Sequence, residues 1–212
     1  MKRAGPEKAR AGLVLAHGRG ADAADILGLW QAARLPDVAA LAPEAPGHSW
    51  WPTSFLAPAA QMEPFVARGV AAMDTAVRQF EAEGIPRSRI WLAGFSQGAG
   101  LALETFARQG EGLAGVLAFS GGLIGTGDAG GTADPALYGF ADKRFDYPGR
   151  RDGAKVWISV HERDPHIPLA RAQRSAEVLA GMGATVETAV WPGAGHGMLP
   201  RDLDMLRTWL SA

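Results

Sequence analysis

Residues 90–98 read Ile-Trp-Leu-Ala-Gly-Phe-Ser-Gln-Gly, an apolar run that ends in a serine between two glycines. The run at 90–95 is typical of a strand buried on both faces of a sheet. The stretch at 97–109 predicts a helix, so Ser96 lies on the turn between strand and helix. The glycines suit a sharp turn, because larger side chains two residues to either side of the serine would collide. The stretch therefore predicts a serine hydroxyl held at the carboxyl edge of a sheet.

The rest of the chain repeats this alternation of short apolar runs and longer helix-like segments. Such alternation predicts an α/β fold, with a mostly parallel sheet of six to seven strands and helices on both faces. No repeat or linker divides the sequence, so we expect a single domain over 1–212. The other strand-like runs are 12–16, 38–42, 115–119, 155–160 and 185–191, and the other helix-like segments are 22–34, 62–83, 168–181 and 200–210.

Two segments interrupt the alternation. The first, 43–58, carries an apolar cluster, and the second, 121–153, is rich in glycine and aspartate. Long irregular segments inside a compact domain are often functional lids, so 121–153 is predicted to be a lid or an irregular insertion. The apolar cluster of the first segment either lines a substrate pocket or caps the core, and it consists of Trp50, Trp51, Phe55 and Leu56.

Composition excludes several classes of protein. The 212 residues include no cysteine, which rules out thiol nucleophiles, cysteine-ligated metals and disulfides. The formal net charge of −1 gives no indication of nucleic-acid binding. The basic residues at 1–3 are not followed by an apolar signal core, and no apolar run reaches the roughly 20 residues that a membrane span requires. We therefore expect a cytoplasmic protein without an integral membrane segment.

A serine hydroxyl is a weak nucleophile until a base removes its proton, and histidine is the usual base. Of five histidines, His196 lies in the glycine-rich stretch 193–197, directly after the last strand-like run. Flanking glycines allow that loop to bring an imidazole towards Ser96. His161, at the end of an earlier strand-like run, is the rival candidate, although its position is more typical of a structural residue.

A carboxylate that orients the histidine is expected between positions 96 and 196, because one known triad order is serine, acid, histidine. Asp164 meets this requirement, since it follows the strand-like run 155–160. Glu162 is the nearest alternative. The aspartates within 121–153 lie where sequence gives no placement.

Backbone N–H groups that stabilise an oxyanion are expected after the first strand-like run. Residues 15–20 read Leu-Ala-His-Gly-Arg-Gly, which predicts the backbone N–H of Arg19 as one donor. The second predicted donor is the backbone N–H of Gln97, the residue directly after Ser96. In this arrangement His17 supports the loop. A phosphate-binding loop is the alternative, but the stretch has neither G-x-G-x-x-G nor a P-loop lysine.

Four ordered motifs over about 12–210 resemble the phospholipase/carboxylesterase family of α/β-hydrolases, which includes the acyl-protein thioesterases. Its G-F-S-Q-G lies at 94–98, its H-G-x-G at 17–20 and its terminal G-H at 195–196. Its H-G-x-x-D-P-x-x-P corresponds to 161–168, where Glu162 replaces the usual glycine.

The resemblance implies Ser96 as nucleophile, His196 as base, Asp164 as orienting acid, and the Arg19 and Gln97 amides as oxyanion hole. It implies the α/β-hydrolase fold, with the six strand-like runs as core strands three to eight. Because only about a dozen residues precede the first run, the antiparallel strand pair that often opens this fold is expected to be shortened or missing.

The implied activity is that of a serine hydrolase that cleaves carboxylic esters through an acyl-enzyme, without metal or organic cofactor. A short-chain ester is the first expected substrate, followed by a thioester or a lysophospholipid. An amidase or peptidase, or a non-catalytic module that binds a small molecule, are the alternatives. A homodimer joined through an exposed aromatic patch near 50–56 is a further expectation.

The segment 121–153 also carries a cluster of basic residues, which are either solvated or bind an anionic group of the substrate. They are Lys143, Arg144, Arg150 and Arg151.

Overall fold

The computed structural model describes residues 1–128 and 131–211, which form one seven-stranded sheet flanked by five α-helices. The strands are β1 (Lys2–Ala4), β2 (Ala11–Ala16), β3 (Val38–Ala42), β4 (Ile90–Phe95), β5 (Gly115–Phe119), β6 (Lys155–Arg163) and β7 (Thr185–Ala194). The helices are α1 (Ala23–Ala33), α2 (Ala59–Ala82), α3 (Gln97–Gln109), α4 (Leu169–Gly181) and α5 (Pro200–Leu210).

The strand order is β1-β3-β2-β4-β5-β6-β7, and every neighbouring pair is parallel except β1 and β3. This arrangement confirms the predicted mostly parallel α/β sheet. The antiparallel start of the fold is shortened, as expected, to the three residues of β1. Because β4 lies between β2 and β5, the turn after β4 and the loop after β2 meet at the same carboxyl edge of the sheet.

The helices cover both faces of the sheet, as the continuous apolar strands require. One buried cluster packs α1 and α5 against the sheet, and the other packs α2, α3 and α4 against its opposite face. Strand β4 shows the double burial, since Leu92 belongs to one cluster and Trp91 and Ala93 to the other. Within the described part of the chain, no helix has the length and apolar character needed to cross a bilayer.

Helix α3, which starts beside Ser96, also carries a fully buried acidic residue that anchors the segment after β5. Glu104 Oε1 accepts hydrogen bonds from the Ile124 backbone N–H (2.9 Å), Lys143 Nζ (2.7 Å) and the Tyr147 hydroxyl (2.9 Å). Glu104 Oε2 accepts one from Arg108 Nε at 3.1 Å. Burial raises the pKa of Glu104, but the charges of Lys143 and Arg108 and these hydrogen bonds outweigh burial, so its pKa lies below the ordinary value.

We expect Glu104→Gln to lower the free energy of unfolding at pH 7 by about 3–5 kcal/mol, because it leaves the Lys143 ammonium buried without its counter-charge. Urea unfolding followed by circular dichroism measures this change. Glu63→Gln is the matched control, since Glu63 also pairs with Arg108 but its side chain is 53% exposed. The control is expected to cost less than about 1 kcal/mol.

The effect of Glu104→Gln on the free energy of unfolding should depend on pH, in a direction fixed by the lowered pKa of Glu104. The pKa of Glu104 is lower in the folded than in the unfolded protein, so its contribution is complete above the unfolded pKa of about 4.3. The contribution is lost as the pH falls through the folded pKa. The stability difference between wild type and Glu104→Gln should therefore shrink below about pH 4. A difference that is equally large at low pH would contradict the assigned charge state of Glu104.

Candidate active site

Ser96 occupies a strained turn between β4 and α3. Its backbone has φ 54° and ψ −117°, a region that residues other than glycine rarely adopt. A Cβ atom at Gly94 would lie 2.3 Å from the Gly98 carbonyl oxygen, and one at Gly98 would lie 2.0 Å from the Ala16 carbonyl oxygen. Both glycines are therefore required by close backbone approach, as the sequence indicated.

His196 reaches Ser96 from the loop between β7 and α5. Its Nε2 atom lies 2.7 Å from Ser96 Oγ, and its Nδ1 atom lies 2.8 Å and 3.0 Å from the two Asp164 carboxylate oxygens. When Nδ1 carries the proton, its N–H group donates to the carboxylate, and the lone pair on Nε2 accepts the hydrogen bond from the serine hydroxyl. The three predicted residues are thus brought together in one continuous hydrogen-bonded relay.

Asp164 is held in its ionised form by its surroundings. The residue is 2% exposed, and its Oδ1 atom also accepts the backbone N–H groups of His166 (2.8 Å) and Ile167 (3.0 Å). Burial raises the pKa of Asp164, but the hydrogen bonds from His196 and from the two backbone N–H groups outweigh burial and keep its pKa below the ordinary value. Glu162, the alternative acid, instead bonds to Arg163 and to the Gly193 backbone N–H.

The two predicted oxyanion donors line the same cleft as Ser96. Over 1–128 and 131–211, the backbone N–H groups of Arg19 and Gln97 donate none of the turn and loop backbone hydrogen bonds. Gln97 is also the first residue of α3, where the helix dipole favours negative charge. Its side chain binds the neighbouring loop, since Oε1 accepts the Trp50 N–H at 2.8 Å and Nε2 donates to the Trp51 carbonyl at 2.9 Å.

His17 supports the loop that carries Arg19. The imidazole is fully buried, its Nδ1 lies 2.8 Å from the Gly18 carbonyl oxygen, and its Nε2 accepts the Ala45 backbone N–H at 3.1 Å. The first contact requires a proton on Nδ1 and the second a lone pair on Nε2, so both bonds fit one neutral tautomer. The imidazole of His17 is therefore fully engaged by backbone groups.

Ser96 and His196 open into a cleft of about 730 Å³. Trp51, Phe55 and Leu56 line it and also belong to the buried core, while their role in binding a substrate stays a prediction. Trp50 is a correction, because it does not line the cleft. Its Nε1 donates to the His17 carbonyl at 2.9 Å, and the Trp50 ring packs against the His17 ring.

The expected exposed aromatic patch near 50–56 is also a correction. Trp50, Trp51, Phe55 and Leu56 are each at most 9% exposed, because they pack into the core beside α2 and α3. The patch therefore offers no surface for a dimer, and a homodimer stays a prediction without a surface assigned to it.

The predicted lid, 121–153, contributes two residues to the cleft, Tyr138 and Phe140. Part of that prediction falls on 129–130, which lie outside the described residues. The basic residues of the segment do not line the cleft. Lys143 bonds to Glu104, Arg150 pairs with Asp152, and the buried Arg151 donates to the last carbonyls of α3. For these three, binding of an anionic substrate group is replaced by structural roles.

Three residues that sequence analysis did not assign also shape the site. Ser120 follows β5 with φ 52°, and its hydroxyl donates to the Gly197 carbonyl at 3.0 Å, which fixes the His196 loop. The ring of His166 meets that of His196 edge-on, with centroids 4.8 Å apart. The Tyr138 hydroxyl donates to the Asp164 backbone carbonyl at 3.0 Å. Ser120 had a signal, because a polar residue directly after a buried parallel strand lies at the same edge as Ser96.

Within the described ranges, no three histidine, aspartate or glutamate side chains are grouped as metal ligands.

Comparisons with known proteins indicate the family of the chain. The family model described as Phospholipase/Carboxylesterase matches residues 3–129. Over 127 residues the chain is 32% identical to acyl-protein thioesterase 1 of Gibberella zeae, a match that covers 60% of this chain and 49% of that protein. The matched part thus spans about half the length of this relative.

Solved structures extend the likeness to the whole chain. A phospholipase/carboxylesterase from Dyadobacter fermentans is 34% identical, with a TM-score of 0.87 over 100% of this chain and 95% of that one. The Bacillus cereus carboxylesterase shares the fold, with 16% identity and a TM-score of 0.72 over 99% of this chain and 92% of that one. The chain belongs to the phospholipase/carboxylesterase family.

Proposed function

We propose that the protein is a serine hydrolase that cleaves carboxylic esters through a covalent acyl-enzyme. The observation that carries the proposal is the unbroken relay from Ser96 Oγ through His196 to the buried Asp164, with its 2.7 Å and 2.8 Å contacts. Such a relay makes a serine hydroxyl nucleophilic at neutral pH.

In the first half of the reaction, Ser96 Oγ forms a bond to the substrate carbonyl carbon while His196 Nε2 takes the hydroxyl proton. The negative charge on the carbonyl oxygen is stabilised by the N–H groups of Arg19 and Gln97. The carbon–oxygen bond to the leaving alcohol then breaks, and His196 gives the proton to that oxygen. In the second half, water takes the place of the alcohol, and the same steps release the acid and restore Ser96.

Substrate preference within the proposal follows from the walls of the cleft. Trp51, Phe55 and Leu56 line the cleft and are fixed by packing into the core, which supports a short acyl group as the first candidate. A thioester is the second candidate, because one similar protein is an acyl-protein thioesterase. The relay and oxyanion donors serve ester and thioester alike, since both carbonyls pass through a tetrahedral intermediate.

A panel of p-nitrophenyl esters from acetate to palmitate tests the proposal. We expect kcat/KM to peak at short acyl length, with stoichiometric labelling of Ser96 by a fluorophosphonate. Ser96→Ala, shown to be folded by circular dichroism, is the blank for both measurements.

The outcomes separate the alternatives. A peak at long acyl chains would replace the short-chain ester by a lipid or acyl-protein substrate. Equal activity in wild type and Ser96→Ala would remove Ser96 as nucleophile. Absence of both hydrolysis and labelling in the wild type would favour the non-catalytic binding module.

A further inference from the structure

A second, apolar groove lies beside the cleft, between α1 and α5. This α1–α5 groove of about 650 Å³ is lined by aliphatic side chains, and its titratable lining residues within the described part of the chain are His17 and Asp25. Both side chains have hydrogen-bond partners in the protein. His17 bonds to backbone groups of Gly18 and Ala45. Asp25 accepts the Asp22 backbone N–H at the start of α1. Its aliphatic lining includes Ile26, Leu29, Ala32, Met198, Leu199 and Leu203.

The groove shares lining residues with the candidate active site. Gly18, Ala21 and Phe95 line both spaces. The Phe95 ring also packs on the His196 ring, with centroids 5.3 Å apart. The groove therefore opens directly beside the base and the oxyanion loop.

Its position relative to His196 indicates which part of a substrate it receives. In the proposed reaction the leaving oxygen must take its proton from His196, so the leaving group departs past the His196 loop. Met198 and Leu199 of that loop form one wall of the groove, and Met198 is 37% exposed. In the proposed reaction the acyl group then lies in the cleft, where Trp51 and Phe55 are among the lining residues.

Gly28 borders the open space of the groove. This glycine lies in the middle of α1, where glycine is less favourable than alanine, and it lines the groove. A Cβ atom at this position would meet no other atom within 4 Å. Packing therefore does not exclude a side chain there, and any large side chain would occupy the groove.

We propose that the α1–α5 groove binds the apolar alkyl part of the substrate's leaving alcohol. This inference rests on the proposed esterase function and adds a leaving-group site to it. Each methylene group of the alcohol that enters the groove should raise kcat/KM about fourfold, from the transfer of apolar surface out of water.

Acetate esters of straight-chain alcohols from ethanol to hexanol test the groove, with acid release followed at constant pH. In the wild type we expect kcat/KM for hexyl acetate to exceed that for ethyl acetate at least tenfold. Gly28→Phe should fill the groove, lower kcat/KM for hexyl acetate at least tenfold and leave ethyl acetate within twofold. Gln31→Phe is the matched control, because Gln31 is exposed on the same helix and does not line the groove, so both values should stay unchanged.

Three results would overturn the groove site while leaving the esterase intact. They are Ser96-dependent hydrolysis that does not vary with alcohol length, equal effects of Gly28→Phe and Gln31→Phe, and an effect of Gly28→Phe on acyl length instead of alcohol length. Absence of Ser96-dependent hydrolysis of every ester, including p-nitrophenyl acetate, would overturn the proposed function and the groove site together.

Discussion

His196→Ala is expected to lower kcat/KM for a short p-nitrophenyl ester by about 10⁵–10⁶-fold, the scale known for loss of the base in such relays. Without the imidazole, nothing takes the Ser96 proton at the 2.7 Å contact, and nothing returns a proton to the leaving alcohol. The measurement is kcat/KM at pH 7–8 with correction for spontaneous hydrolysis.

A double variant sharpens this test. Ser96→Ala combined with His196→Ala should be no slower than either single variant, because the two residues act as one unit. Multiplicative losses would show that they act independently. His161→Ala is the control for the rival histidine, and a loss there as large as at His196 would contradict the assignment of the base.

Asp164→Asn is expected to lower kcat by about 10⁴-fold with little change in KM. The asparagine amide would donate towards His196 Nδ1, which forces the imidazole proton onto Nε2. The protonated Nε2 atom can then no longer accept the hydrogen bond from Ser96. The asparagine carbonyl can still accept the backbone N–H groups that now bond to Oδ1, those of His166 and Ile167. The loss should therefore reflect the wrong tautomer rather than a displaced loop.

Two controls accompany the aspartate variant. Circular dichroism and urea unfolding establish that the fold is kept, and Glu162→Gln tests the alternative acid. We expect Glu162→Gln to retain activity within severalfold, since Glu162 contacts Arg163 and Gly193 rather than His196. A loss below tenfold in Asp164→Asn would remove Asp164 from the relay.

Much of the sheet could be predicted because its strands are buried on both faces. The observed bounds of β3, β4, β5, α3 and α5 coincide with the predicted runs, since each is bounded by proline, glycine or a change of period. Strands β6 and β7 run further than predicted, to Arg163 and Ala194, across a register shift between His161 and Arg163. The residues of these extensions are exposed or half-buried rather than buried, so pairing between the strands continues where the buried apolar pattern has ended.

Contacts between residues far apart in the sequence could not be predicted from local sequence patterns. Nothing near Trp50 in sequence shows that its ring packs on His17, 33 positions away. Arg151 resembles a solvated loop arginine, yet it is buried against the Phe106 and Ala107 carbonyls at the end of α3. Motif order was sufficient to predict that Ser96, Asp164 and His196 come together, because each follows a strand of the same parallel sheet and these strands end at one edge.

The span of the relay bears on the order of events during folding. Ser96 and His196 are 100 positions apart in the chain, and their strands, β4 and β7, are separated in the sheet by β5 and β6. Parallel pairings between distant segments form slowly, because loop-closure entropy is lost before contacts compensate for it. Because Asp164 follows β6 and His196 follows β7, the relay exists only when these C-terminal strands are paired in the native order. Its formation therefore requires the native topology of that half of the sheet as well as the serine turn.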